Sequence, residues 1–168
     1  MLEDNAEYLS TIWYTGSRKK TTFKEILNII DERLEKGATI YIGSDSFPSK
    51  GKVRFATTIC LHGNGTRGRY FFFKENLSPS SYKNLVTRIT EETRRSVRVA
   101  ELLMTNHDIE PSNIELHLDV SPFASNNGTS KHSEMLKGYV SGYGLECKLK
   151  PNAWASQTVA DKHSKWEE

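Results

Sequence analysis

The residues of this chain best suited to chemistry are four acids set among apolar or small neighbours: Asp45, Glu92, Asp119 and Asp161. Asp45 closes the run from Ala38 to Ser46, where Thr, Ile and Tyr favour a strand bounded by Gly37 before it and Phe47-Pro48-Ser49 after it. A short carboxylate at a strand end can hold a hard cation such as Mg²⁺ through oxygen, or it can cap the turn that follows. Gly43, on the same face by strand parity, leaves space beside it. Asp119 repeats the pattern, because Ile114, Leu116 and Leu118 make one face of a second strand and Glu115, His117 and Asp119 the other. His117 could serve there as a ligand or proton shuttle, or could be a satisfied, half-buried strand histidine.

Glu92 stands out by direction. At ~100° per residue, Leu85, Ile89, Ser96, Ala100 and Leu103 fall on one helix face with Glu92 among them, while Glu91, Arg94, Arg95, Arg98 and Glu101 fall opposite. A carboxylate inside an apolar stripe costs several kcal/mol unless a cation or hydrogen-bond donors satisfy it. Glu91, by contrast, has a surface ion pair available with Arg95 at i+4. Asp161 lies on a last helix starting near Pro151 or Asn152, rich in small residues that would let it pack close to a sheet. Alone, Asp161 would read as an exposed acid paired with Lys165, and His163 is a weaker candidate still.

The elements that must position these acids follow from periodicity. Residues 1–20 lack sustained periodicity and read as an arm anchored by Trp13 and Tyr14, with residues 21–168 forming one domain. Thr22 and Glu25 make a capping box for a helix to Lys36, with Phe23, Ile26, Leu27, Ile30 and Leu34 on its apolar stripe and Gly37 as its stop. Lys52 to His62 alternates as a second strand half-covered by core, and Gly63-Asn64-Gly65 turns it into a third strand, Arg69 to Phe73. The longest helix is predicted from Ser78-Pro79 to about Asn106. A further helix, Thr129 to Tyr143, should point Met135, Leu136, Tyr139, Val140 and Tyr143 inward, and Leu145 to Leu149 should be a short fifth strand.

Composition sets outer bounds. The 168 residues carry a formal net charge of +2, with 36% hydrophobic and 26% charged residues, as one globular domain would. No apolar run approaches the ~20 residues of a membrane span, and the acidic first residues are unlike a signal peptide, so a cytoplasmic protein without membrane partners is expected. Cys60 and Cys147 are far apart and lack a Cys-x-x-Cys pattern, which argues for reduced thiols and against zinc.

The predicted order after the first helix is βββαβαβα, an α/β arrangement with a mixed five-stranded sheet flanked by helices, and it matches the ribonuclease-H-like topology. The stretches Ile42 to Ser46, Glu92-Thr93 with Ser96, His117 to Pro122 and Val159 to Lys162 resemble the YkuK family of predicted ribonuclease-H-like nucleases, over about residues 20–165. That resemblance implies hydrolysis of RNA or DNA phosphodiesters with two Mg²⁺ or Mn²⁺ ions. Asp45 would bridge both ions, Glu92 and Asp119 would hold one, and Asp161 the other. Lys50, Lys52, Arg54, Lys131 and Lys162 then become the expected nucleic-acid contacts. A catalytically inactive module that binds nucleic acid or a protein partner is the alternative. An actin-like ATPase is disfavoured, since this chain has one domain and no glycine-rich phosphate loop.

Overall fold

The computed structural model describes residues 11–82, 84–120 and 132–165. Its centre is a seven-stranded mixed sheet in the order β2-β1-β5-β4-β3-β6-β7. The strands are β1 (Trp13–Thr15), β2 (Lys20–Thr21), β3 (Thr39–Ser49), β4 (Lys52–Gly63), β5 (Thr66–Leu77), β6 (Ile114–His117) and β7 (Glu146–Lys148). Helices α1 (Phe23–Glu35), α2 (Leu85–Asn106), α3 (Ser133–Ser141) and α4 (Asp161–Lys165) complete it, with a π-helical turn, Ala155–Ala160, leading directly into α4. From β3 onward the order is the expected βββαβαβα, and β3, β4 and β5 form an antiparallel meander while β3, β6 and β7 run parallel.

The sheet has two strands more than the five expected. Residues 13–20, read from sequence as part of an arm, form the β1–β2 hairpin together with Thr21, and β1 pairs antiparallel with β5 through Tyr14↔Phe72 and Thr15↔Phe71. Trp13 drives this docking: it is fully buried, with its ring 4.6 Å from that of Phe73 and 5.7 Å from that of Phe23. Strands of three and two residues are too short to display a period of two, so alternation could not reveal them.

Helix α1 forms where the capping box placed it, with Thr22 Oγ1 accepting from the Glu25 amide at 3.2 Å and the Glu25 carboxylate accepting from the Thr22 amide at 3.4 Å. Gly37 ends it with a φ of +84°, a conformation that costs glycine little. Helix α2 begins later than predicted. Pro79–Ser81 is a separate 3₁₀ turn, and Asn84 is the true cap, its side chain accepting from the Thr87 amide at 2.8 Å. Leu85, expected on the apolar face, is accordingly exposed at the helix entrance.

Two expectations about burial also change. β4 is buried along both faces from Val53 to Leu61, because α2 and the core cover one side and the π-turn with α4 covers the other. On α3 only Ser133, Leu136 and Val140 are buried, whereas Met135 and Tyr139, and Tyr143 just beyond the helix, are exposed, so the helix meets the core along a narrow stripe. The predicted start of that helix at Thr129 and the loop Phe123 to Ser130 lie outside the described residues. Both cysteines are free thiols. Among the described residues no helix is long and apolar enough to cross a membrane.

Candidate active site

Alternation along β3 sends neighbouring residues to opposite faces, and the site depends on it. Ser44 and Ser46 face α2, where Ser96 Oγ donates to Ser44 Oγ at 3.0 Å and Ser46 Oγ donates to Glu92 Oε1 at 2.6 Å. Gly43 and Asp45 face the π-turn and α4. The space beside Gly43 is taken by backbone: a Cβ there would lie 2.6 Å from the Ala155 carbonyl carbon and the Ser156 nitrogen. That close approach brings α4 over the end of the sheet, where Ser164 Oγ donates to Asp45 Oδ2 at 2.9 Å.

Asp45 does not end its strand, as the sequence suggested; β3 continues to Ser49, still paired with β4 through Asp45↔Ala56 and on to Ser49↔Lys52. The parallel pairing with β6 is what ends, at Gly43↔His117. Two residues further in the same register Asp45 comes level with Asp119, just past the end of β6. The sheet thus loses a neighbour on one side of Asp45, and the carboxyl group stands in the resulting notch.

The four acids come from β3, α2, the segment after β6, and α4, and their charges act on one another. Asp45 is buried, and its carboxyl group is pushed up to about 8, first by burial, then by the side chain of Asp161 and the charge of Asp119, with the Ser164 hydroxyl opposing. Glu92 is also buried and is held well above the usual carboxylate range, chiefly by burial and then by the charge of Asp45, with the Ser46 hydroxyl and Arg88 pulling the other way and Asp119 adding to the rise. Asp119 is half-buried and has Lys150 Nζ 2.9 Å from its Oδ1, yet this buried oxygen receives no hydrogen bond in proper geometry. The contact is therefore an ion pair that leaves a lone pair unsatisfied. Asp161 pairs with Lys165, at 2.8 Å to Oδ1.

An all-carboxylate oxygen set with one orphaned buried oxygen fits a hard divalent cation such as Mg²⁺ or Mn²⁺. As the side chains stand, however, among the described residues no three acids, histidines or cysteines converge closely enough to share an ion. Glu92 is turned to Ser46, Asp119 to Lys150 and Asp161 to Lys165.

The other candidate residues separate clearly. Glu91 is half-buried, chelates the Arg94 guanidinium at 2.7 and 2.9 Å, and pairs with Arg95 Nε at 3.1 Å. Arg95, expected in solvent, is instead buried, lying 4.7 Å over the Phe55 ring and paired with Glu75. His117 is fully enclosed: its Nδ1 accepts from the Ala155 amide at 3.0 Å and so holds the π-turn against β6, while its Nε2 meets Glu115 Oε1 of the same strand at 3.0 Å. His163 stacks on Phe72 at 3.6 Å and shares a hydrogen bond with the Tyr70 hydroxyl at 3.0 Å, facing β5 rather than the acids. Arg54 is buried and donates to the Ser164 carbonyl at 3.1 Å, which removes it from a solvent-facing phosphate role and makes it a brace for α4. Lys50 is exposed at the β3–β4 turn, Lys52 is half-buried there, and Lys162 is exposed beside Asp161. Lys131 lies outside the described residues.

Lys150 escaped the sequence reading, and a signal for it existed. Parallel pairing of β6 with β7 sets His117 against Lys148, so two residues on, Lys150 must stand beside Asp119. The amide of Lys150 donating to the Val120 carbonyl at 3.0 Å continues that pairing.

A family model described as Ribonuclease H-like matches residues 21–165. The chain is also similar to a protein of Bacillus subtilis (strain 168) named YkuK and described as uncharacterized, at 22% identity over 174 residues that cover 93% of this chain and 98% of that one. With that match over most of its length and the βββαβαβα order of its elements, the chain belongs to the Ribonuclease H-like family.

Proposed function

We propose that this protein is a divalent-metal-dependent nuclease that hydrolyses phosphodiester bonds of RNA or DNA. One observation carries the reading: Asp45, Glu92, Asp119 and Asp161 arrive from four separate elements around Asp45, which is raised by Asp119 and Asp161 and in turn raises Glu92. Gathering buried acids costs stability, and proteins keep such arrangements where a cation or a reaction uses them. Asp45, Glu92, Asp119 and Asp161 would hold two Mg²⁺ or Mn²⁺ ions. Bound there, the ions would supply an activated water and charge stabilisation for the departing 3′ oxygen. The chain's own contribution is to aim and to balance. Ser164 and Ser46 fix the Asp45 and Glu92 carboxyl groups by donating to them. Lys150 and Lys165 balance the charges of Asp119 and Asp161.

Purified protein should cleave a labelled oligonucleotide with Mn²⁺ or Mg²⁺ and not with Ca²⁺, and Asp45→Asn should abolish cleavage while leaving the circular dichroism spectrum unchanged. Equal cleavage by wild type and Asp45→Asn would sink the reading. The lysine pairing of two acids favours one alternative, a ribonuclease-H-like module that binds nucleic acid without cutting it. Calorimetry with Mn²⁺ separates the two, since a module of that kind would take up no ion that Asp45→Asn and Asp119→Asn both eliminate.

A further inference from the structure

Two of the four acids are paired with lysines, and the two pairs differ in kind. Lys165 Nζ lies 2.8 Å from Asp161 Oδ1 within one turn of α4, and a pair of that sort with a half-exposed lysine contributes little. Lys150 Nζ lies 2.9 Å from Asp119 Oδ1, reaching from one strand line to the next, and the oxygen it faces is buried. Register fixes where Lys150 stands. Gly43 pairs with His117 and His117 with Lys148, so two residues further on Asp45, Asp119 and Lys150 form a row across the sheet. The row holds past the last paired residues, because the Leu118 amide donates to the Lys148 carbonyl at 2.9 Å and the Lys150 amide to the Val120 carbonyl at 3.0 Å. At ~4.8 Å per strand the Lys150 backbone is about 10 Å from that of Asp45. Since β7 is the last strand of the sheet, the partly exposed Lys150 side chain runs inward from a solvent edge to Asp119. Among the described residues its ammonium meets no other acid.

Asp119 Oδ1 is also the oxygen best fitted to a divalent ion, since it is buried and receives no hydrogen bond in proper geometry. An ammonium and such an ion cannot both rest on it without strong like-charge repulsion at short range. We propose that Lys150 is a substrate-positioning residue that changes partner: it neutralises Asp119 in the absence of a divalent ion, and turns to a phosphate of the bound nucleic acid when that carboxylate is given over to one. The inference rests on the nuclease reading for its ions and its substrate. Charge balance supports the exchange. Four carboxylates are neutralised in full by two divalent ions, which leaves Lys150 no acid to balance, whereas every nucleic-acid phosphate brings a negative charge. A lysine suits the task, being a compact point charge on a flexible stem. Its backbone stays pinned to Val120, so the freed ammonium remains beside the acids.

Two measurements on the full chain test the two halves of the exchange. In calorimetry with Mn²⁺, Lys150→Met, which keeps the stem and removes the charge, should bind the ion roughly fivefold or more tightly than wild type. Lys150→Arg, still charged, should stay within about threefold of wild type. The second measurement is fluorescence anisotropy of a fluorescein-labelled phosphorothioate strand, which resists hydrolysis, in Mn²⁺ and in EDTA. In Mn²⁺, Lys150→Met should bind the strand roughly fivefold more weakly, with a log-log salt slope smaller by about 0.7, for one phosphate contact. In EDTA, where Lys150 stays on Asp119, its slope should equal that of wild type. Lys24→Met, on the exposed face of α1, should change neither affinity by more than about twofold. The opposite signs are decisive, because a merely structural lysine would weaken ion and strand binding together or move neither. Mn²⁺ affinity that Lys150→Met lowers or leaves unchanged would overturn the exchange, as would a salt slope that falls equally in EDTA or not at all. Mn²⁺ uptake that Asp45→Asn eliminates and Lys150→Met does not strengthen would overturn this inference and leave the nuclease reading standing, whereas wild type without Mn²⁺ uptake would overturn both.

Discussion

Two adjacent glutamates, Glu91 and Glu92, differ by one step around a helix and have opposite assignments. Glu92 faces Ser46 and the other acids from a buried position, while Glu91 holds Arg94 and the buried Arg95. Glu92→Gln keeps the side chain's volume and removes the charge a cation would require, so cleavage should fall by orders of magnitude and Mn²⁺ affinity with it. Glu91→Gln should do the reverse. Losing the charge that neutralises buried Arg95 should cost on the order of 1–2 kcal/mol, or several degrees of melting temperature, with cleavage below that temperature within about twofold of wild type. Cleavage assays and thermal melts on the two variants check both halves. Equal activity losses would mean that the two carboxylates act together and that direction on the helix does not decide.

At the scale of elements, the junction of Gly43 with Ala155 and Ser156 decides whether α4 can reach the acids. Gly43→Ala would force a methyl group into backbone 2.6 Å away, and backbone cannot swing aside as a side chain can. The expected cost is about 1–3 kcal/mol. Because the same displacement moves Ser164 away from Asp45, cleavage should drop at least tenfold in protein that remains folded. Gly138→Ala on α3 is the control, since nothing lies within 4 Å of its added Cβ, and it should gain roughly 0.5–1 kcal/mol. This junction also shows what a sequence exposes and what it hides. The small residues Ala155, Ser156 and Ala160 were legible as a stretch able to pack close to a sheet, whereas Gly43, read as leaving space beside Asp45, has that space filled by their backbone. The β1–β2 hairpin was not legible, because its strands are shorter than the period that reveals strands. Nor was the burial of Arg95, because a guanidinium paired with Glu91 and Glu75 over the Phe55 ring has the same helical phase as one in water. Lys150 needed a register between two parallel strands, which is tertiary information that local patterns carry only once the pairing is known.

The whole molecule should register the acids through the pH dependence of its stability. An unfolded aspartate titrates near 3.9, and folded Asp45 near 8, so between these values the native state holds the extra proton. Stability from this group is present in full at low pH and is lost as pH rises through 8. Glu92, also raised, pulls in the same direction. His163 opposes them at the acid end. Burial beside Lys162, Arg18 and Lys74 brings it down to about 4, against about 6.5 unfolded, so its stabilisation is present above 6.5 and is lost as pH falls toward 4. The two slopes oppose one another between about pH 4 and 6.5, and above 6.5 the carboxyl groups act alone. Metal-free protein should therefore lose melting temperature between pH 6.5 and 8.5, and Asp45→Asn should flatten that decline and melt higher than wild type at pH 8.5. A cation binds the ionised acids and must displace their protons, so the rise in melting temperature produced by Mn²⁺ should be larger at pH 8 than at pH 6. Melting curves in EDTA and in Mn²⁺ across that range measure all of this with no substrate present. A Mn²⁺ shift independent of pH, or one that Asp45→Asn retains in full, would place the ion away from these four carboxyl groups.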